Sequence, residues 1–138
     1  MIENPVYDAE KYRVTAQTVY ELSLSFLYEY RDRDKDYKKT FMGFLNATLQ
    51  ECLSIQNSIL VSRGEAPYIY APFFTDDDYT EVVPYEEALT RTAIPYAIAS
   101  YYFQDENNPQ MVYEYRARFV NAANEAAKAV FSDVKDVY

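Results

Sequence analysis

Residues 36–61 read DYKKTFMGFLNATLQECLSIQNSILV, and this stretch decides the fold. Phe41, Phe44, Leu45, Thr48, Cys52, Ile55 and Ile59 return at steps of three and four, the period of one face of an α-helix. Asp34 or Asp36 supplies a start cap, and Arg63-Gly64 supplies a stop. Gly43, inside the pattern, costs about 1 kcal/mol relative to Ala, and close packing of a second helix is the expected reason for it. The chain's only other glycine is Gly64. Two glycines are too few for the tight turns of an all-β fold, so helices are expected throughout.

On the N-terminal side, Tyr12, Ala16, Val19, Leu22, Phe26, Leu27 and Tyr30 form another such stripe, predicting a helix over about 10–30. Tyr20, Leu24 and Tyr28 fall off it and call for a second apolar contact, within the chain or with a neighbouring subunit. Further on, Leu89, Ala93, Tyr96, Ala97 and Tyr101 predict a helix over about 84–103, kinked or restarted at Pro95. Asn108 caps a last helix opened by Pro109, whose buried face is Val112, Tyr115, Phe119, Ala122, Ala126 and Val130. It is expected to end near Phe131, with 132–138 as an extended tail.

Residues 64–84, GEAPYIYAPFFTDDDYTEVVP, cannot be a long helix because Pro67, Pro72 and Pro84 interrupt them. Short strands at Tyr68–Tyr70 and Glu81–Val83 would make a hairpin. The loop is too apolar for a linker, and it should dock on something. The whole chain thus reads as one mainly α domain over 1–138: a four- to five-helix bundle, a long Pro/aromatic loop and a C-terminal tail.

Composition narrows the function. With no His, Ser-His-Asp and Cys-His systems are excluded within one chain. The single Cys52 allows no intrachain disulfide and sits at an apolar helical position. A net charge of −9 disfavours nucleic-acid and anionic-membrane binding. There is no apolar run of membrane-span length, and MIENPVYDAEKY lacks a signal peptide's apolar core. Tyrosine, at 16 residues, is suited to surfaces half buried or buried on assembly, although a lineage that favours Tyr would give the same count.

Two acidic runs invite a metal reading. Asp32, Asp34 and Asp36 copy the start of a calcium loop, but Tyr37 stands where Gly is needed and Gly43 where a bidentate Glu is needed. Asp76-Asp77-Asp78 with Glu81 reads as an exposed loop tip, because consecutive carboxylates do not converge on one ion. No catalytic, cofactor or metal residues are expected.

From Pro84 onward the chain resembles the head–tail adaptor (connector) proteins of tailed bacteriophages. The shared pattern starts with an acidic opening, Pro84-Tyr85-Glu86-Glu87-Ala88-Leu89. An apolar helix with an Ile-Pro-Tyr step follows, Ala93-Ile94-Pro95-Tyr96-Ala97-Ile98-Ala99, and then an acidic turn, Gln104-Asp105-Glu106-Asn107-Asn108. The last helix opens Val112-Tyr113-Glu114-Tyr115-Arg116-Ala117-Arg118-Phe119. Thr18-Val19-Tyr20-Glu21-Leu22 and Phe44-Leu45-Asn46-Ala47 also look like that group. The loop does not match residue by residue.

The resemblance implies a non-enzymatic virion protein of the neck, made in the host cytoplasm. It would form a homo-oligomeric ring, commonly a dodecamer, that joins the portal protein to a stopper or tail-terminator protein and surrounds the DNA channel without binding DNA specifically. The expected contact residues are Tyr68, Tyr70, Phe73 and Phe74 of the loop and Val134, Val137 and Tyr138 of the tail, with packing onto the subunit's own core as the competing reading. The alternatives are a small acidic DNA-mimic inhibitor of a host nucleic-acid enzyme, or another neck or tail-completion protein.

Overall fold

The computed structural model describes residues 12–27 and 34–136, and its fold is mainly helical, as expected. Among the described residues the α-helices are α1 (Ala16–Leu24), α2 (Asp34–Ser62), α3 (Ile94–Asp105) and α4 (Pro109–Asp136). A π-helical turn, Leu89–Ala93, leads into α3.

The caps follow side-chain chemistry. Thr15 opens α1 by accepting the Thr18 N–H at 3.2 Å. Asn108 does the same for α4 through Met111 N–H at 3.3 Å, with Pro109 at the first helical position, as expected. α2 stops at Gly64, whose φ of 77° suits a residue without Cβ. Glu65 N–H bonds Leu60 O at 2.9 Å and Gly64 N–H bonds Val61 O at 3.0 Å, closing the last carbonyls. α3 ends identically, with Asn107 at φ 58° and bonds from Asn108 to Phe103 O and from Asn107 to Gln104 O.

Four expectations about the elements and their connections change. α1 is shorter than the expected 10–30, of which 10, 11 and 28–30 lie outside the described residues: it closes at Leu24 with Ser25 as its cap, and it starts late because Val14 and Thr15 are drawn into extended pairing. Val83 N–H bonds Val14 O at 2.7 Å, and Thr15 bridges Val82 in antiparallel sense. That pairing also removes the hairpin, since the N-terminal segment, not Tyr68–Tyr70, partners the Glu81–Val83 backbone.

At Pro95 the helix neither breaks nor simply kinks. Pro95 has no N–H, and its ring crowds the carbonyl one turn earlier. The turn before it widens instead, so that Ile94 N–H reaches Leu89 O. Lastly, α4 runs on to Asp136, so 132–136 are helical where an extended tail was expected. Neither Pro nor Gly follows Phe131 to stop it. Val137 and Tyr138 lie outside the described residues.

α3 is the hub, touching α1, α2 and α4. It is buried nearly all round, with Ile94, Ala97, Ile98, Ala99, Tyr102 and Phe103 inside, as a helix apolar on every face should be. Tyr20 and Leu24, off the main stripe of α1, are buried in this same core, so their second contact is within the chain; Tyr28 lies outside the described residues. Gly43 is exposed, and a Cβ there would meet nothing within 4 Å, so close packing within the subunit does not explain it.

Tyrosine is used as much inside as at the surface. Tyr20, Tyr85 and Tyr102 are fully buried. Tyr85 Oη donates to Leu49 O at 2.6 Å, and Tyr102 Oη donates to Tyr37 O at 2.8 Å. Each ring fills core volume while its hydroxyl ties one element to the backbone of another.

Candidate interaction surface

The long loop docks on α2 of its own chain, held by two asparagines. Asn57 Nδ2 donates to Tyr68 O at 3.0 Å, and Tyr68 N–H donates to Asn57 Oδ1 at 2.7 Å. Asn46 repeats the arrangement on Phe74, with Nδ2 to Phe74 O at 2.9 Å and Phe74 N–H to Oδ1 at 2.8 Å. Eleven residues along an α-helix make three turns plus about 20°, so both amides stand on one face roughly 16 Å apart. Tyr68 to Phe74, if extended, spans about 20 Å, which matches. The loop therefore runs lengthwise and antiparallel along α2.

Further anchors fix its ends. Tyr68 Oη donates to Pro84 O at 2.6 Å, and burial, with the Tyr12 hydroxyl beside it, pushes the phenol's pKa up. Glu86 N–H donates to Gln56 Oε1 at 2.9 Å, and Arg63 pairs with the Glu86 carboxylate.

This geometry divides the four loop residues expected at an interface. Tyr68 and Phe74 are buried in the chain's own core. Tyr70 is 38% exposed and Phe73 47%, and Ile69, not singled out from sequence, is 93% exposed. The two clamps hold Tyr68 and Phe74 inward, and the chain between them, which bends at Ile69 and Tyr70, leaves Ile69, Tyr70 and Phe73 outward. Of the tail residues, Val134 lies in α4, and Val137 and Tyr138 lie outside the described residues. Asn46 and Asn57 were missed as functional positions. Their signal was two amides eleven residues apart on one face of a helix, followed by an uncharged apolar stretch of chain.

A second surface lies at the elbow between α3 and α4, where Gln104, Asn108, Pro109, Val112, Tyr113 and Arg116 line a cleft of about 480 Å³. Tyr113 is 80% exposed there. Beneath it, Arg116 Nη2 meets Glu51 Oε2 at 2.7 Å, and Tyr101 Oη donates to the same carboxylate. Burial alone would raise the Glu51 pKa. The hydrogen bonds from Arg116 and Tyr101, with the Arg116 charge, outweigh it and hold the carboxyl below its usual range. Burial and the hydrogen bond to Glu51 raise Tyr101 to about 12.

Cys52 is fully buried, and burial pushes its thiol up to about 12, away from the reactive thiolate. Among the described residues no three His, Cys, Asp or Glu side chains are grouped to hold a metal ion. No helix among them is long and apolar enough to cross a membrane. No known protein family, curated protein or solved structure matches this chain.

Proposed function

We propose that this chain is a structural, non-enzymatic subunit of the head–tail neck of a tailed bacteriophage. It would act as the adaptor ring between the portal and the stopper or tail-terminator protein. One observation carries the reading: a loop fixed to α2 at both ends that turns Ile69, Tyr70 and Phe73 outward. A rigid apolar surface of this kind, with no pocket chemistry behind it, suits assembly. The order of motifs from Pro84 to Phe119 supports the particular assembly. The net charge of −9 suits a wall beside packaged DNA, since an acidic lining gains no counterion release from the duplex and does not hold it.

The DNA-mimic alternative needs free carboxylates spaced like phosphates. Glu51, Glu86, Glu87 and Glu114 instead sit in ion pairs with Arg116, Arg63, Arg91 and Arg118, which favours the structural reading. The test is quantitative mass spectrometry of purified virions, followed by electron microscopy of the neck. The chain is expected in amounts comparable to the portal protein and in a ring beneath it. Absence from the particle would end the proposal.

A further inference from the structure

Two helix faces stay exposed in the folded chain, and they differ in relief. At about 100° per residue, Tyr113, Ala117, Val120, Asn121 and Asn124 share a sector of about 100° on α4, and all of them are exposed. Tyr113 and Val120 stand out from it, about 10 Å apart along the helix axis. On α2, Gly43, Ala47, Gln50, Ser54, Ser58 and Val61 share a sector of about 80° and are exposed as well. Gly43, Ala47, Ser54 and Ser58 give this second face a low floor. A Cβ at Gly43 would meet nothing within 4 Å, and from Ser54 to Ser62 the surface sinks into a groove of about 560 Å³.

We infer that the α4 face of one copy of this chain packs into the α2 face of the next, with Tyr113 and Val120 lying over the floor made by Gly43, Ala47, Ser54 and Ser58. The inference rests on the reading of the chain as an assembly subunit and names the surfaces through which its copies meet.

Charge selects a second copy as the occupant. A chain of net charge −9 repels its own copies, and like charges facing each other across an interface are penalised, so copies meet where charge is absent or paired. Neither sector contains Asp, Glu, Lys or Arg. The charges beside them are paired within the chain, Glu114 with Arg118, Glu125 with Lys128 and Glu51 with Arg116. Relief points the same way, because one chain carries both the raised face and the recessed one. A floor of Gly, Ala and Ser lets a second helix come close, and it gives Gly43 the near neighbour that its own subunit does not supply.

The two faces do not close on each other within one chain. Arg116, which reaches the chain's own α2 at Glu51, lies about 90° around α4 from the centre of the α4 sector. Because the faces are different, the contact is head-to-tail. Each copy keeps one face open for the next, and such a series closes into a ring or runs on as a filament. The neck subunit needs the ring.

The test uses the full chain, read by sedimentation velocity. Gly43→Leu/Ser54→Leu fills the floor with good helix formers, and Tyr113→Gln/Val120→Gln removes the raised side chains. Both variants keep the net charge, and neither is expected to lower the unfolding midpoint at dilutions where the parent is monomeric. The parent is expected to self-associate as its concentration rises, and each variant alone to do so at least about tenfold more weakly, as loss of central contacts does. The two variants mixed in equal amounts are expected to form a one-to-one dimer as tightly as two parent chains do, because the intact α4 face of the first meets the intact α2 face of the second.

A parent that stays monomeric at its highest soluble concentration would overturn the inference. So would a mixture that fails to pair, or a floor variant that associates like the parent, because the contact would then join like faces or lie elsewhere. Head-to-tail association by a chain absent from virions would leave the inference standing and remove the neck assignment.

Discussion

Asn46 and Asn57 each offer the loop what a neighbouring β-strand would, one donor and one acceptor facing the C=O and N–H of a single residue. Aspartate is nearly the same size but has no donor, and its charge would face the Tyr68 or Phe74 carbonyl. Asn46→Asp and Asn57→Asp should therefore each cost about 1–3 kcal/mol, measured by urea unfolding at neutral pH. Unchanged stability in both would mean the amides hold nothing. Glu51 makes a different claim at this scale. Its carboxyl is held below the reference value of 4.5, so the stability it contributes is present above that pH and is lost as pH falls through its lower folded value. Both partners are partly exposed, with Glu51 at 30% and Arg116 at 36%, so the contribution is about 1 kcal/mol or less. The stability gap between the parent and Glu51→Gln should be full near neutrality and close below pH 4.5. A gap that does not change with pH would assign the Glu51 effect to packing.

At the level of elements, what could be read in advance was whatever is settled locally. Gly64 as a helix stop and Asn108-Pro109 as a helix start each act on their own turn, and both stand where the sequence placed them. The start of α1 and the missing hairpin were not legible, because Val14 and Thr15 find their partners near Val83, some seventy positions away. The π-turn was half legible. Pro95 announced a disturbance, but whether the helix bends or widens depends on keeping both Leu89 and Ile94 buried, which is a tertiary demand. For the candidate surface, the apolar loop was legible as a docking element. Its division into inward Tyr68 and Phe74 and outward Ile69 and Phe73 was not, since it is set by which backbone units the two asparagines hold. Gly43 provides the test at this scale. In mid-helix, with open space where a Cβ would go, Gly43→Ala should raise stability by about 0.5–1 kcal/mol in thermal or urea melts. A loss instead would show that something packs closely on that face.

For the molecule as a whole, the question is whether the loop belongs to the folded core or merely rests on it. Buried residues from every helix, together with Tyr68, Phe74, Val83 and Tyr85 of the loop, form one apolar cluster. Tyr85 and Tyr102 tie that cluster across elements through hydroxyl-to-carbonyl bonds. A segment secured this way should open only with the rest, since lifting it would expose Phe74 and Tyr68 and leave two helix amides without their partners. In native-state hydrogen exchange, the Tyr68 and Phe74 amides are therefore expected to be protected nearly as well as those in the centre of α2. With Asn46→Asp and Asn57→Asp combined, these two amides should lose protection by several orders of magnitude more than the α2 amides do, because the strap detaches while the helix stays packed on α3. Fast exchange of Tyr68 and Phe74 in the unaltered chain would mean that the loop leaves the surface freely. Ile69, Tyr70 and Phe73 would then be a mobile hydrophobic segment and not a surface prepared for a partner.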